Sequence, residues 1–198
     1  MKKVLITIVV FGALGAGVLF IKHAIAAPAR ATERNLAAIN GLTVGTTTEV
    51  ELLARKEFQT VERRCFQSDC QYLMETENTF LNRLRLAPVT VISIVVRVRE
   101  GLVNGVLVFT RKAGLPAITV SQVVELPSGC SSSPCVKRRM LPNKTFLGIS
   151  IVFSSESDIR NHMPEAVNSA CLSRLHGCNT YADLMPITKE LNLEAADR

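Results

Sequence analysis

Six cysteines carry the clearest chemical signal in this chain: Cys65, Cys70, Cys130, Cys135, Cys171 and Cys178. They form three local couples, C-x4-C twice and C-x6-C once. Three chemistries use cysteines in this way. Structural zinc favours C-x2-4-C couples, so an x4 spacing stands at the margin, with His162 and His176 as further ligands. Thiol–disulfide exchange uses Cys-x-x-Cys at a helix N-terminus, where the thiol pKa falls. Cys130-Ser-Ser-Ser-Pro-Cys135 has two extra residues and falls between strands. The third chemistry, disulfide bonding, suits an even count on an exported chain and is the preferred reading. Local pairing (65–70, 130–135, 171–178) is the simplest connectivity, each bridge closing a short surface loop.

Other reactive residue types give less. Lys137-Arg138-Arg139 is the one basic triplet. Its surroundings place it in a loop, as a solvated turn or as a surface contact for phosphate head groups or an acidic partner. His162-x-x-Glu165 would set two ligands on one helical face, though a solvated first turn accounts for it. His176, before Gly177, suits a cation at a helix C-terminus. Gly-x-Ser-x-Gly is absent, no two carboxylates pair for acid–base work, and no glycine loop cradles a phosphate. Asn143-Lys144-Thr145 matches a glycosylation sequon, relevant only in a eukaryotic secretory pathway. No catalytic residue, metal ligand or cofactor site is assigned on this basis.

Charge and composition narrow the class further. The chain has 198 residues and a net charge of +6. Lys2, Lys3 and Lys22 account for half of it; from Ala27 onward 20 Lys and Arg stand against 17 Asp and Glu, a net of +3. That surface balance gives no nucleic-acid footprint. Aromatics are 5% and Trp is missing, which argues against an aromatic-lined site for bases or sugars.

Lys2 and Lys3 precede an uncharged run from Val4 to Ile21. Its 18 residues make about 27 Å of helix, just enough for a bilayer core. The parts of a secretory signal are also present, with Ala24-Ile25-Ala26 as a cleavage site. The length of the run and the Lys22-His23 boundary favour an uncleaved anchor. Residues 1–26 are thus expected to be a signal anchor or signal peptide, and residues 27–40 a polar, Ala-rich link. The protein would sit in the cell membrane as a single-pass chain with its C-terminal domain outside the cytoplasm. The alternative is a periplasmic or secreted protein cleaved near Ala26.

Residues 41–198 then form one α+β domain. Thr48 suits a helix cap with Glu49 in the first turn, and Val50, Leu53, Ala54 and Phe58 follow at helical spacing. A loop carries Cys65 and Cys70, residues 71–77 make a short strand, and Asn78 caps a helix over 79–86 that Pro88 stops. Four strands follow, over 89–98, 102–110, 117–126 and 145–153, joined by the 99–101 turn, Gly114-Leu115-Pro116 and the 130–135 loop. Short turns imply a roughly four-stranded antiparallel sheet, packed by N- and C-terminal helices. The C-terminal pattern begins near Ile159, kinks at Pro164, offers Ala166, Val167, Ala170 and Leu175 as an apolar face, and ends at Gly177. A last helix opens at Thr180-Tyr181-Ala182-Asp183 and is interrupted by Pro186.

The stretch Gly45-Thr46-Thr47-Thr48-Glu49-Val50-Glu51-Leu52-Leu53 resembles the Gly-x-[Thr/Ser]-x-x-Glu-Val-x-x-Leu opening of SmpA/OmlA-like periplasmic modules. The likeness extends over about residues 40–112, with Ala54-Arg55-Lys56 where a Gly-x-Pro often closes the helix. The resemblance implies N-terminal helices on a small antiparallel sheet and an accessory, non-catalytic part in an envelope assembly. The expected function is therefore a membrane-tethered or exported interaction module. Its partners would be the membrane, through the N-terminal helix, and an envelope protein, with no nucleic acid. The first alternative is a small-ligand-binding protein or hydrolase with its site between sheet and helices. The second is a thiol redox or metal protein.

Overall fold

β-Branched residues crowd the middle of the chain, and in the computed structural model that stretch forms the centre of a seven-stranded sheet. The structure describes residues 2–113, 115–140, 146–154, 167–178 and 180–191, with side chains of the first helix from Leu14 onward. The helices are α1 (Lys2–Ile39), α2 (Glu49–Ala54), α3 (Thr79–Arg83), α4 (Tyr181–Leu184) and α5 (Ile187–Glu190). The strands are β1 (Glu62–Phe66), β2 (Asp69–Glu77), β3 (Thr90–Arg99), β4 (Leu102–Lys112), β5 (Leu115–Val123), β6 (Cys135–Met140) and β7 (Phe146–Ser154). Two 3-10 segments, Lys56–Phe58 and Ser169–Ser173, complete the set.

The class is α+β, but the sheet corrects the expected four antiparallel strands. Its order is β1-β2-β3-β4-β5-β7-β6. β5 and β7 run parallel while every other neighbouring pair is antiparallel. Two strands lie where loops were expected. β1 is exposed along its length and has no apolar alternation, so it owes its extended form to pairing with β2. β6 carries the basic triplet on the outer edge, and β7 returns between it and β5. That return makes the β5–β7 pair parallel.

The N-terminal segment is the second correction. Among the described residues no helix is long and apolar enough to cross a membrane. The expected membrane helix and polar link are one helix with Pro28 inside it. From Lys22 the helix carries Lys22, His23, Arg30, Glu33 and Arg34, too many charges for a bilayer core. Residues 27–39 belong to the packed domain. Ala29, Thr32, Leu36 and Ile39 recur at helical spacing and are all buried. Asn35 Nδ2 reaches Thr76 Oγ1 at 3.3 Å, and Glu33 accepts from Ser169 Oγ at 3.0 Å.

Local chemistry explains the smaller elements. Thr48 caps α2 in a reciprocal box: its hydroxyl accepts from Glu51 N at 3.2 Å, and its own N–H donates to Glu51 at 2.8 Å. The Thr48 N–H and then its hydroxyl, which also donates to Glu51 Oε2 at 3.0 Å, hold the Glu51 carboxyl below its ordinary pKa. The helix lasts six residues, so its buried face is Leu52, with Phe58 beyond it, and not Val50 and Leu53, which are exposed. α3 is also shorter than expected, ending at Arg83. Arg85 takes a positive φ of 57° and Leu86 N bonds back to Leu81 O at 2.9 Å, a helix stop that usually announces itself with glycine. The β3–β4 hairpin turns on Glu100 and Gly101, with φ of 54° and 78°, the left-handed pair that a two-residue turn requires. Asn104 is a bulge beyond it, which lets Val103 and Val106 face the same side.

Near the C-terminus, Thr180 and Asp183 cap each other's backbone at 2.9 and 3.1 Å, and Pro186 separates α4 from α5 as expected. The helical pattern expected from Ile159, with His162, Pro164, Glu165 and Ala166, lies outside the described residues, as does the Asn143 sequon. Val167 is buried, but Leu175 is exposed, because the chain there follows the Cys171–Cys178 bridge in a 3-10 segment.

Candidate interaction face

Strand alternation divides the sheet into two unlike faces. One carries Tyr72 and Met74 on β2, Ile92, Ile94, Val96 and Val98 on β3, and Val106 and Val108 on β4. Ile118 and Val120 on β5 and Ile149 and Ile151 on β7 continue it. This face packs against Leu36 and Ile39 of α1, Leu52 of α2, Leu172, and Leu184 and Met185 of α4 and its exit. The space where a ligand site was expected, between sheet and helices, is filled by this core.

A tyrosine anchors one corner of it. The Tyr72 ring is fully buried, and Phe58 meets it edge-on at 6.2 Å. Its hydroxyl donates to Glu49, which also accepts from Arg63 at 2.7 Å, while the Arg63 guanidinium lies 5.7 Å over the ring. Burial, then the hydrogen bond and charge of Glu49, push the Tyr72 hydroxyl up to about 12. A phenol held neutral this firmly is a structural pin between α2 and the β1–β2 hairpin.

On the opposite face no helix packs among the described residues, though Val91, Ser93, Ser121 and Val152 are buried there. This face holds a groove of about 420 Å³ across β1 to β5. The register sets its layout row by row. Arg64, Gln71 and Arg97 are opposite one another on β1, β2 and β3, and Gly105 follows on β4. The next row is Leu73, Val95 and Leu107. Phe109 and Thr119 lie beyond, and Arg111 marks the far end. Arg97 and Arg111 are separated by six residues of strand, about 20 Å. The floor is apolar, and among the described residues three arginines but no carboxylate line the groove.

The three arginines differ in what they already hold. Arg64 pairs with Glu62 at 2.7 Å and Arg111 with Glu75 at 3.7 Å, both well exposed. Such pairs contribute about 0–1 kcal/mol and exchange readily. Arg97 is exposed and has no ion-pair partner among the described residues. Gly105 is opposite it on β4 and adds no side chain, though Val123 and Leu107 close over that position, their Cγ1 and Cδ1 within 3.4 and 4.0 Å of where a Cβ would stand.

The residues singled out from sequence are placed as follows. Cys65 joins Cys70, Cys130 joins Cys135 and Cys171 joins Cys178, leaving no free thiol. The thiol-redox and zinc readings both require thiols that this pairing ties up. Among the described residues no three His, Cys, Asp or Glu side chains gather as a metal site would need. His176 is not at an α-helix end: it has a positive φ of 72°, and its N–H donates to Leu86 O at 2.9 Å. The basic triplet lies on the edge strand β6, not in a loop. Lys137 pairs with Ser150 on the open-face register, Arg138 with Ile149 on the other, and Arg139 with Gly148. Lys137 Nζ donates to Ser128 O at 2.6 Å, so it braces the Cys130–Cys135 loop.

Sequence reasoning missed Arg64, Arg97 and Arg111. The available signal was apolar residues on both parities of β4: Val106 and Val108 on one, Leu107 and Phe109 on the other. A half-buried strand shows only one such set. No protein-family model matches this chain, and neither a curated protein nor a solved structure matches it. Function therefore has to be read from the site itself.

Proposed function

We propose that this protein is an exported, disulfide-stabilised accessory module of the cell envelope that acts by binding a partner protein on the open face of its sheet. One observation carries the reading: a seven-stranded sheet clad by helices on one side presents, on the other, a groove with an apolar floor and arginines at both ends. Half-exposed Leu107 and Phe109 at the centre of a sheet mark a contact surface better than a solvated one. Three disulfides in a chain of this length fit an oxidising compartment. The likeness of Gly45–Leu53 to SmpA/OmlA-like modules points to an accessory role. Among the described residues the groove brings together no nucleophile and base, which favours binding over catalysis.

Photo-crosslinking in intact cells tests this. A photoreactive residue at Thr119, in the groove, should give one discrete protein adduct of the full chain. The same residue at Glu57, exposed on the helix-clad side, should not. Equal labelling at both positions, or none at Thr119, would refute the assignment.

A further inference from the structure

The groove is chemically lopsided, and the imbalance specifies its occupant. At the β1–β3 end Arg64 and Arg97 flank Gln71, about two strand spacings or roughly 10 Å apart. Both guanidiniums can converge above Gln71 on one anion. Arg64 is held only by an exposed pair with Glu62, and Arg97 by no carboxylate among the described residues. The other end is already balanced. Arg111 lies 3.7 Å from Glu75, which also accepts from Ser93 Oγ at 3.2 Å. Between the ends, Leu73, Val95, Leu107 and Phe109 form an apolar floor two rows deep, about 7 Å along the strands and about 10 Å across β2 to β4.

We propose that the groove receives a segment of the partner protein that is apolar along its length and acidic at one end, the carboxylates seated over Arg64 and Arg97. This deepens the reading above and rests on it. Charge complementarity picks the acidic end, because Arg97 gains a pairing it lacks while Arg111 gains little. Arg97 is also the residue whose guanidinium can offer a carboxylate two parallel N–H bonds without first giving up a partner. The apolar floor supplies affinity, and Arg97, the groove arginine without an ion pair among the described residues, sets orientation. A bilayer surface fits less well. Head groups present charge evenly and offer no apolar segment to cover Leu73, Val95, Leu107 and Phe109.

The test uses the full chain in intact cells, with the photoreactive residue at Thr119 to report occupancy and, separately, at Gln71 to report the acidic end. R97E should lower the Thr119 adduct about tenfold, and R97K should keep most of it. Mapping the Gln71 adduct should find Asp or Glu within a few residues of the attachment point, and changing those acids to Lys should restore adduct formation with R97E. Intact mass must show three disulfides in each variant; where R97E fails that check, R97Q takes its place with a smaller loss expected. An unchanged adduct with R97E, a Gln71 attachment site without acids, or an adduct of lipid mass would overturn this inference while leaving the face as a binding site. No adduct at Thr119 in the unaltered chain would overturn the functional reading as well.

Discussion

Replacing Tyr72 with Phe tests the corner pin, and its size can be reached by two routes. The substitution keeps the buried ring against Phe58 and removes one hydroxyl that donates to Glu49. A hydrogen bond to a charged acceptor contributes about 1.5–3 kcal/mol. Glu49 is 22% exposed and keeps Arg63, so the contribution falls to the foot of that range or just below it, about 1–1.5 kcal/mol. The second route is proton linkage. The hydroxyl is pushed up to about 12 from an ordinary value of 10.0, so folding favours the neutral form. That stabilisation is complete below pH 10 and is lost as pH rises through about 12. Two pH units set a ceiling near about 2.7 kcal/mol, and the access of Glu49 and Arg63 to water reduces it to about 1–2 kcal/mol. Urea unfolding of the oxidised protein, wild type and Y72F, at neutral pH and across pH 10 to 12 reads both quantities. The expected result is a wild type more stable by about 1–2 kcal/mol at neutral pH, with the gap closing across the alkaline range. Equal stability at neutral pH, or a gap that does not close, would refute the argument.

Two further outcomes follow from local geometry. T48A should cost about 1 kcal/mol in urea unfolding, with T48S close to wild type, because the hydroxyl completes the box with Glu51. In the same variant an NMR titration should find the Glu51 pKa raised towards its ordinary value, the hydroxyl being one of the groups that lower it. G148A should destabilise by about 2–3 kcal/mol, measured by the urea midpoint, because a Cβ there would overlap the backbone carbonyl of Ala117 across the parallel β5–β7 pair.

The sequence was most legible where one short-range rule decided the outcome. Thr48 and Thr180 announce their helices through oxygens that reach backbone N–H groups within one turn. β3 and β4 are visible because β-branched residues line both, and the Glu100-Gly101 turn between them needs only local dihedrals. Illegible elements are those made by a neighbour. Glu62-Arg63-Arg64-Cys65-Phe66 has no strand pattern and becomes one through β2. The triplet on β6 looks like a loop because edge strands favour charge, which keeps them from pairing with other chains. The α1 segment misled because the helix does not stop at the end of its apolar run: it continues through Lys22 and His23 to Ala29, Thr32, Leu36 and Ile39, which pack into the domain. The groove stayed hidden for the same reason as β1: its arginines come from three strands, and only register places Arg64, Gln71 and Arg97 in one row.

The return of β7 between β5 and β6 bears on how the chain reaches its final form. Strands β1 to β5 are a meander, each pairing with its predecessor, and such local contacts form early at small entropic cost. β6 pairs with β7 alone, so it gains its place in the sheet only with or after that strand, although it precedes it in the chain. The bond from Ser169 to Glu33 then closes a loop across 136 residues. Assembly is therefore ordered, with the meander first and the far end last. During the interval the apolar edge of β5 is the exposed template for wrong partners. A chaperone acting on this protein would find its work there.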